Sequence, residues 1–175
     1  MSSRSALPAV LAGVLLLSSC SSGPSRSAAR RMGEDIQLGG VVFNVFETDW
    51  LEQLPAEGKP PRVPQSKFLT IRLTVVNNAN KEVNIPFMRL EDEAGGSVAE
   101  LDNGEGVDEW WGVLRALPPG GEHQTHRIVF DVRPGNYFLH LSDGGEPDSE
   151  KTAVVSIPFR IQDRSLPAAP SGSSQ

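Results

Sequence analysis

His123, His126 and His140 are the only histidines, the side chains whose ordinary pKa best suits a general base near neutral pH and which also ligate metals. His123 and His126 stand three residues apart. On a strand that spacing sends them to opposite faces, a poor chelate. His-Gln-Thr-His also lacks the glutamate and the helix of a zinc protease motif, so solvated strand or turn histidines are the competing reading. Met88 stands by itself and Met32 falls in the expected tether, so a copper carrier built from Met and His finds little support. The loop Asp102-Asn103-Gly104-Glu105-Gly106-Val107-Asp108-Glu109 could gather oxygens around calcium, but its spacing is not that of a helix-loop-helix calcium site. Glu146-Pro147-Asp148-Ser149-Glu150 reads as a solvated hairpin tip. No glycine series joins a strand to a helix with a lysine to cradle phosphate. No nucleophile has an evident activating base. The sequence therefore predicts no catalytic residue, no metal site and no cofactor.

The single cysteine, Cys20, excludes an intrachain disulfide. It closes a stretch with the layout of an export signal: Arg4, an apolar run from Ala6 to Leu17, then Ser18 and Ser19. That run is shorter than the about 20 residues a membrane-spanning helix needs. Leu17-Ser18-Ser19-Cys20 resembles the lipobox of bacterial lipoproteins. The resemblance implies cleavage before Cys20, acylation of its sulfur and new amino group, and a membrane contact through the lipid. The alternative is an ordinary signal peptide whose last residue is a cysteine. Ser21 is not the aspartate that retains enteric lipoproteins at the inner membrane, so the resemblance favours the outer membrane or cell surface, with the domain outside the cytoplasm.

The chain carries a net charge of −6, and the leader's one charge is Arg4, leaving −7 for the rest. Such a body has no overall electrostatic reason to bind nucleic acid or anionic lipid headgroups. Residues 1–19 read as signal peptide and 20–33 as the lipidated cysteine with a flexible, Ser-rich tether. Residues 34–163 read as one domain, and 164–175, rich in Pro, Ala and Ser, as a disordered tail.

Within the domain, turn signals such as Asn77-Asn78, Gly95-Gly96, Pro118-Pro119-Gly120-Gly121 and Asp143-Gly144-Gly145 separate short apolar runs. In Phe68–Val76, Leu69, Ile71, Leu73 and Val75 alternate with Thr70, Arg72 and Thr74, which predicts one buried and one wetter face. Val41–Phe46, Val83–Leu90 with Pro86 inside it, Ser97–Leu101, His126–Val132, Asn136–Leu141 and Thr152–Ile161 are further strand candidates. The expected fold is all-β, an antiparallel sandwich of about seven or eight strands. Residues 55–66 hold four prolines and read as a stiff surface loop. Val107, Trp110, Trp111, Leu114 and Leu117 fall at helical spacing, so the sequence predicts one short helical insertion. Its apolar stripe either caps an open end of the sandwich or forms the edge of an interaction surface made by Val107, Trp110, Trp111 and Leu114.

The order of several pieces resembles that of bacterial secreted and lipid-anchored domains related to the mycobacterial immunoprotective extracellular protein. These pieces are Lys67–Asn78, Phe87–Asp92 before Gly95-Gly96, Leu117–Gly121, and Ile128-Val129-Phe130-Asp131-Val132. The resemblance implies an immunoglobulin-like sandwich and supplies no catalytic residues. Pro134-Gly135-Asn136-Tyr137 further resembles the tyrosine corner of Greek-key sandwiches, in which the hydroxyl bonds nearby backbone. Together these features point to a lipid-anchored envelope protein acting as a non-catalytic binding module for a protein or small ligand. A structural envelope accessory and a periplasmic metal carrier are the alternatives.

Overall fold

The computed structural model describes residues 26–56 and 58–159. The expected signal peptide, Cys20 and the expected tail from residue 164 lie outside them. Ten strands follow a 3-10 turn at Arg26–Ala28: β1 (Asp35–Leu38), β2 (Val41–Leu51), β3 (Lys67–Asn77), β4 (Val83–Asn84), β5 (Arg89–Asp92), β6 (Ser97–Ala99), β7 (Ala116–Leu117), β8 (His123–Val132), β9 (Tyr137–Ser142) and β10 (Thr152–Ile157). They form two four-stranded antiparallel sheets, β1-β2-β3-β8 and β10-β9-β5-β6, with β4 and β7 paired separately. The fold is the expected β-sandwich.

Alternation decides which side chains fill the space between the sheets. Leu69, Ile71, Leu73 and Val75 are all 0% exposed and face inward from β3. Phe130 pairs opposite Leu69 on β8 and is equally buried. Val41, Phe43 and Val45 of β2 join them, and Leu90, Leu139, Leu141, Val155 and Ile157 meet them from the other sheet. The β2–β3 register slips between Val45 and Glu47, so the intervening Phe46 is left on the surface at 41% exposure. Between β1 and β2 the chain reverses through Gly39-Gly40. Gly39 has φ 58°, the left-handed conformation that a two-residue hairpin turn demands.

The pieces that carry the sequence resemblance hold the sandwich ends. Asn77, 2% exposed at the end of β3, donates from Nδ2 to the carbonyls of Lys81 (2.9 Å), Leu117 (2.9 Å) and Pro118 (3.2 Å), and its Oδ1 accepts from Ala79 N (2.9 Å). One buried amide thus satisfies backbone groups of two loops that would otherwise lack partners. Asp92 caps the β5–β6 turn by accepting from Ala94 N (2.9 Å) and Gly96 N (2.7 Å). Tyr137 donates its hydroxyl to the Arg133 carbonyl at 2.6 Å, the expected corner.

Two expectations are corrected. The helix over Val107–Leu117 does not form: the segment runs as turns and irregular backbone into β7. Gly106 (φ 88°), Glu109 (φ 59°) and Gly112 (φ 74°) adopt left-handed conformations that interrupt any right-handed helix. The segment expected to be tether up to residue 33 is also held against the domain from Arg26 onward. Arg30 bridges Val155 on the edge of β10, Gly33 N donates to Val45 O at 2.7 Å, and Met32 packs on the core. The unpaired backbone of β10 recruits it.

The register makes a stability prediction. Ile71→Ala, which empties a fully enclosed site, should destabilise the domain by about 2–5 kcal/mol. Thr74→Ala, on the opposite face of the same strand, should cost less than about 0.5 kcal/mol. Chemical denaturation of both variants checks this, and equal costs would mean the faces are reversed.

Candidate functional site

The segment between β6 and β7 does not return straight to the other sheet. It runs along the outer edge of β8. Leu101 N donates to Val129 O (2.8 Å), Arg127 N to Glu109 O (2.8 Å) and Trp111 N to Arg127 O (3.0 Å). Trp110 and Trp111 therefore sit on strand-like backbone, where neighbouring side chains point to opposite faces.

Trp111 turns inward. It is 7% exposed, belongs to the main core, and stacks on His126 with ring centroids 4.6 Å apart and planes 5° from parallel. Arg115 lies on its other neighbours: the guanidinium is 4.9 Å from the Trp111 ring and 4.4 Å from that of Phe87. Arg115 Nη1 donates to Glu100 Oε2 at 2.9 Å, Nη2 donates to Oε1, and Nε donates to the Gly112 carbonyl at 3.0 Å. Both side chains of the pair are essentially inaccessible, at 1% and 0%. Burial pushes the Glu100 carboxyl above its ordinary range, against the pull of Arg115 and of the Met88 amide that it accepts from. Burial also lowers the His126 imidazole pKa, helped by the nearby Arg115 charge and opposed by Glu109.

Trp110 turns outward. With Val107, Leu51 and Leu101 it packs on Leu54, Phe68 and Val129, a second small core on the outer face of the β1-β2-β3-β8 sheet. Its indole N–H is covered without an acceptor. The ring lies so close to Gly104 that a Cβ there would come within 2.4 Å of it. The proline loop folds onto the same cluster. Leu54 and Arg62 exchange backbone bonds of 2.9 and 2.8 Å, and Arg62 donates to the Asn103 carbonyl with its guanidinium 5.4 Å from the Phe68 ring. The loop returns to β3 through Asp131, which accepts from Gln65 N (2.6 Å) and Ser66 N (2.9 Å).

Where these two loops meet they leave an open concavity of about 260 Å³, lined by Arg62, Val63, Gln65, Phe68, Leu101, Asp102, Asn103 and Asp131. Val63 is 73% exposed at its rim. The lining offers guanidinium, amide and carboxylate groups beside apolar carbon, which suits recognition by hydrogen bonds and contact. Of the residues singled out by sequence, Val107 and Trp110 support its floor through Phe68 and Leu101. Trp111 belongs to the core between the sheets, and Leu114 projects at 89% exposure on a separate loop tip beside Val113. The four do not form one surface. The proline loop was legible as a stiff loop, but its apposition to Asp102-Asn103 depends on contacts distant in sequence.

Around the acidic loop, Asn103 Oδ1 accepts from Glu105 N at 3.0 Å and Glu109 pairs with Arg72 at 2.8 Å. Arg72, expected to be solvated on the outer face, is thus half-buried and also bonded to Glu47 at 3.4 Å. Among the described residues, no three His, Cys, Asp or Glu side chains converge as a metal site would require. His123 and His126 point to opposite faces of β8, and His140 lies on the other sheet beside Glu91 (2.7 Å).

The architecture is that of an antiparallel β-sandwich. No protein family matches the sequence, and no curated protein matches it. Solved structures do. The yjhA protein of Bacillus subtilis superposes with a TM-score of 0.56 at 16% identity, over 71% of this chain and 97% of its own. The Bacillus subtilis ycdA protein, a candidate lipoprotein, gives 0.55 at 12% identity over 73% of this chain, which spans only 39% of that longer one. MPT63, a secreted protein of Mycobacterium tuberculosis, gives 0.52 at 16% identity over 78% of this chain and all of its own. At these identities the likeness is one of fold.

Two measurements check the site's construction. Gly106 has φ 88°, and a Cβ there would lie 1.8 Å from the Pro55 carbonyl oxygen. Gly106→Ala should therefore separate the loops and cost more than about 1 kcal/mol, with NMR shifts changing at Arg62 and Asn103. Because burial lowers the His126 pKa, its contribution to stability should be complete above the unfolded value of about 6.5 and fade as pH falls through the lowered folded pKa. Glu100 works in the opposite sense, losing stability as pH rises above its unfolded value. The comparison with His126→Phe isolates the imidazole: the melting-temperature gap between pH 7.5 and 5.5 should be smaller in the variant.

Proposed function

We propose that this protein is a lipid-anchored extracytoplasmic binding module that works without catalysis, and that it takes a partner protein at the concavity between the proline loop and the Asp102–Trp110 loop. The observation that carries the reading is the concavity itself, whose two walls are fixed to one another by Arg62 and Gly106, with the proline loop tied to β8 through Asp131, before any partner arrives. Preorganised walls lower the ordering cost of association. A volume of about 260 Å³ lies below the roughly 300–1,000 Å³ of pockets that enclose small molecules, and it suits one or two projecting side chains of a partner. The leader ending in Cys20 supports the anchor, and the secreted and candidate-lipoprotein neighbours support a place outside the cytoplasm.

A photo-crosslinking residue at Val63 tests the site in the native host. Val63 should capture a discrete partner, whereas the same group at exposed Lys81, beyond the opposite end of β3, should not. Identical crosslinking patterns at the two positions would remove the concavity from the proposal. Cys20→Ser should shift the protein from the membrane fraction to the soluble one, and unchanged fractionation would remove the anchor.

A further inference from the structure

The N-terminal segment is fastened at successive points. Arg30 N donates to Val154 O at 2.8 Å, Ser156 N donates to Arg30 O at 2.9 Å, and Gly33 N donates to Val45 O at 2.7 Å. From there the chain crosses the outer face of the β10-β9-β5-β6 sheet. Arg26 lies on that face: its Nε donates to Glu91 Oε1 at 2.9 Å, its Nη1 donates to the Glu93 carbonyl at 2.9 Å, and its guanidinium is 5.5 Å from the Phe138 ring. The same Glu91 accepts from His140, so the arginine is bound into a cluster on the sheet.

This attachment shortens the leash. From Cys20 to Arg26 there are six residue steps, a reach of at most about 20 Å when fully extended. A domain of this length has a radius of gyration of about 14 Å and is roughly 35 Å across. A leash shorter than the body it holds leaves one side of that body toward the anchor. The face beside Arg26 is polar, with Arg89, Glu91 and His140 on neighbouring strands, so it can rest on headgroups without inserting. The exposed Arg30 and Arg31 flank it, and among the described residues neither they nor Arg89 has a carboxylate partner at ion-pair distance. Arg89 Nη2 lies 3.4 Å from His140 Nδ1, and guanidinium groups without a carboxylate partner favour a surface of anionic phosphates.

From these facts we infer that the outer face of the β10-β9-β5-β6 sheet, with Arg26, Arg30, Arg31 and Arg89, rests on the headgroups of the membrane that holds the Cys20 lipid, and that the concavity on the opposite sheet faces away from it. The inference rests on the anchored reading above. The concavity then meets partners from the aqueous side, and the strands β5 and β9 are the ones shielded.

Two probes decide it. The full-length protein, purified from membranes and reconstituted in phosphatidylcholine–phosphatidylglycerol vesicles with a headgroup spin label, carries a thiol-linked fluorophore at either Ser97→Cys or Thr125→Cys. Ser97 lies opposite Glu91 on the β10-β9-β5-β6 sheet, and Thr125 lies opposite Thr74 on the outer face of the β1-β2-β3-β8 sheet. The headgroup label should quench the probe at residue 97 strongly and the probe at residue 125 hardly at all. Equal quenching, or stronger quenching at residue 125, overturns the orientation. The intact mass of the same preparation separates the two levels of the argument. With acyl chains on Cys20 and equal quenching, the orientation falls and the anchor stands; with a free Cys20 thiol, both fall.

Discussion

The buried pair between Glu100 and Arg115 is the contact on which the site side of this sandwich depends. Taking both charges out of water costs several kcal/mol per ion, and only near-complete hydrogen bonding offsets it. Here the offset is assembled from four directions: two guanidinium–carboxylate bonds, the Met88 amide, the Gly112 carbonyl, and the faces of Phe87 and Trp111. Apolar replacement of both partners could be as stable, so stability alone does not account for the pair. What the pair fixes is geometry. Glu100 ends the stretch after β6 and Arg115 begins the return into β7, so the pair closes the base of the fourteen-residue excursion between them. Removing one partner would strand a charge in the core at about 3–5 kcal/mol. The loop's two ends are therefore held together, and its middle is free to specialise.

Much of the fold was legible because it follows from alternation, which is local. Leu69, Ile71, Leu73 and Val75 reveal the inner face of β3, and Tyr137 sits where its corner motif places it. Asp92 and Asp143 act where their own turns need them, whereas Asn77, besides serving its own turn, reaches forty residues ahead to Leu117. The helix was misread because Val107, Trp110, Trp111, Leu114 and Leu117 satisfy a 3.6-residue period by coincidence. Backbone hydrogen bonds to Arg127 were available to that segment, and sheet-like bonding won. The same error hid the site. A helix would have put the two tryptophans about 100° apart on one stripe, whereas extended backbone sends Trp111 into the main core and Trp110 into the outer cluster.

Edge protection links this loop to the rest of the architecture. Each sheet of an open sandwich ends in unpaired backbone, which invites association with any passing strand. The longest edge, β8, is covered by Leu101 and Glu109–Trp111; the β10 edge is covered by Arg30. The edges left over, β1 and β6, run for only four and three residues. Strand addition is thus a weak route to partnership for this molecule. The cover on β8 has a second consequence. To reach Arg127 the loop must pass over the outer face of its sheet, and it carries Val107 and Trp110 there, which require a floor of apolar side chains. Phe68, Val129 and Leu54 provide it, and the proline loop is drawn in to close that small core. The concavity is the gap that remains between two loops recruited for this purpose. Its position on the outer face follows from the need to shield an edge, and its chemistry from the residues that the loops were free to vary.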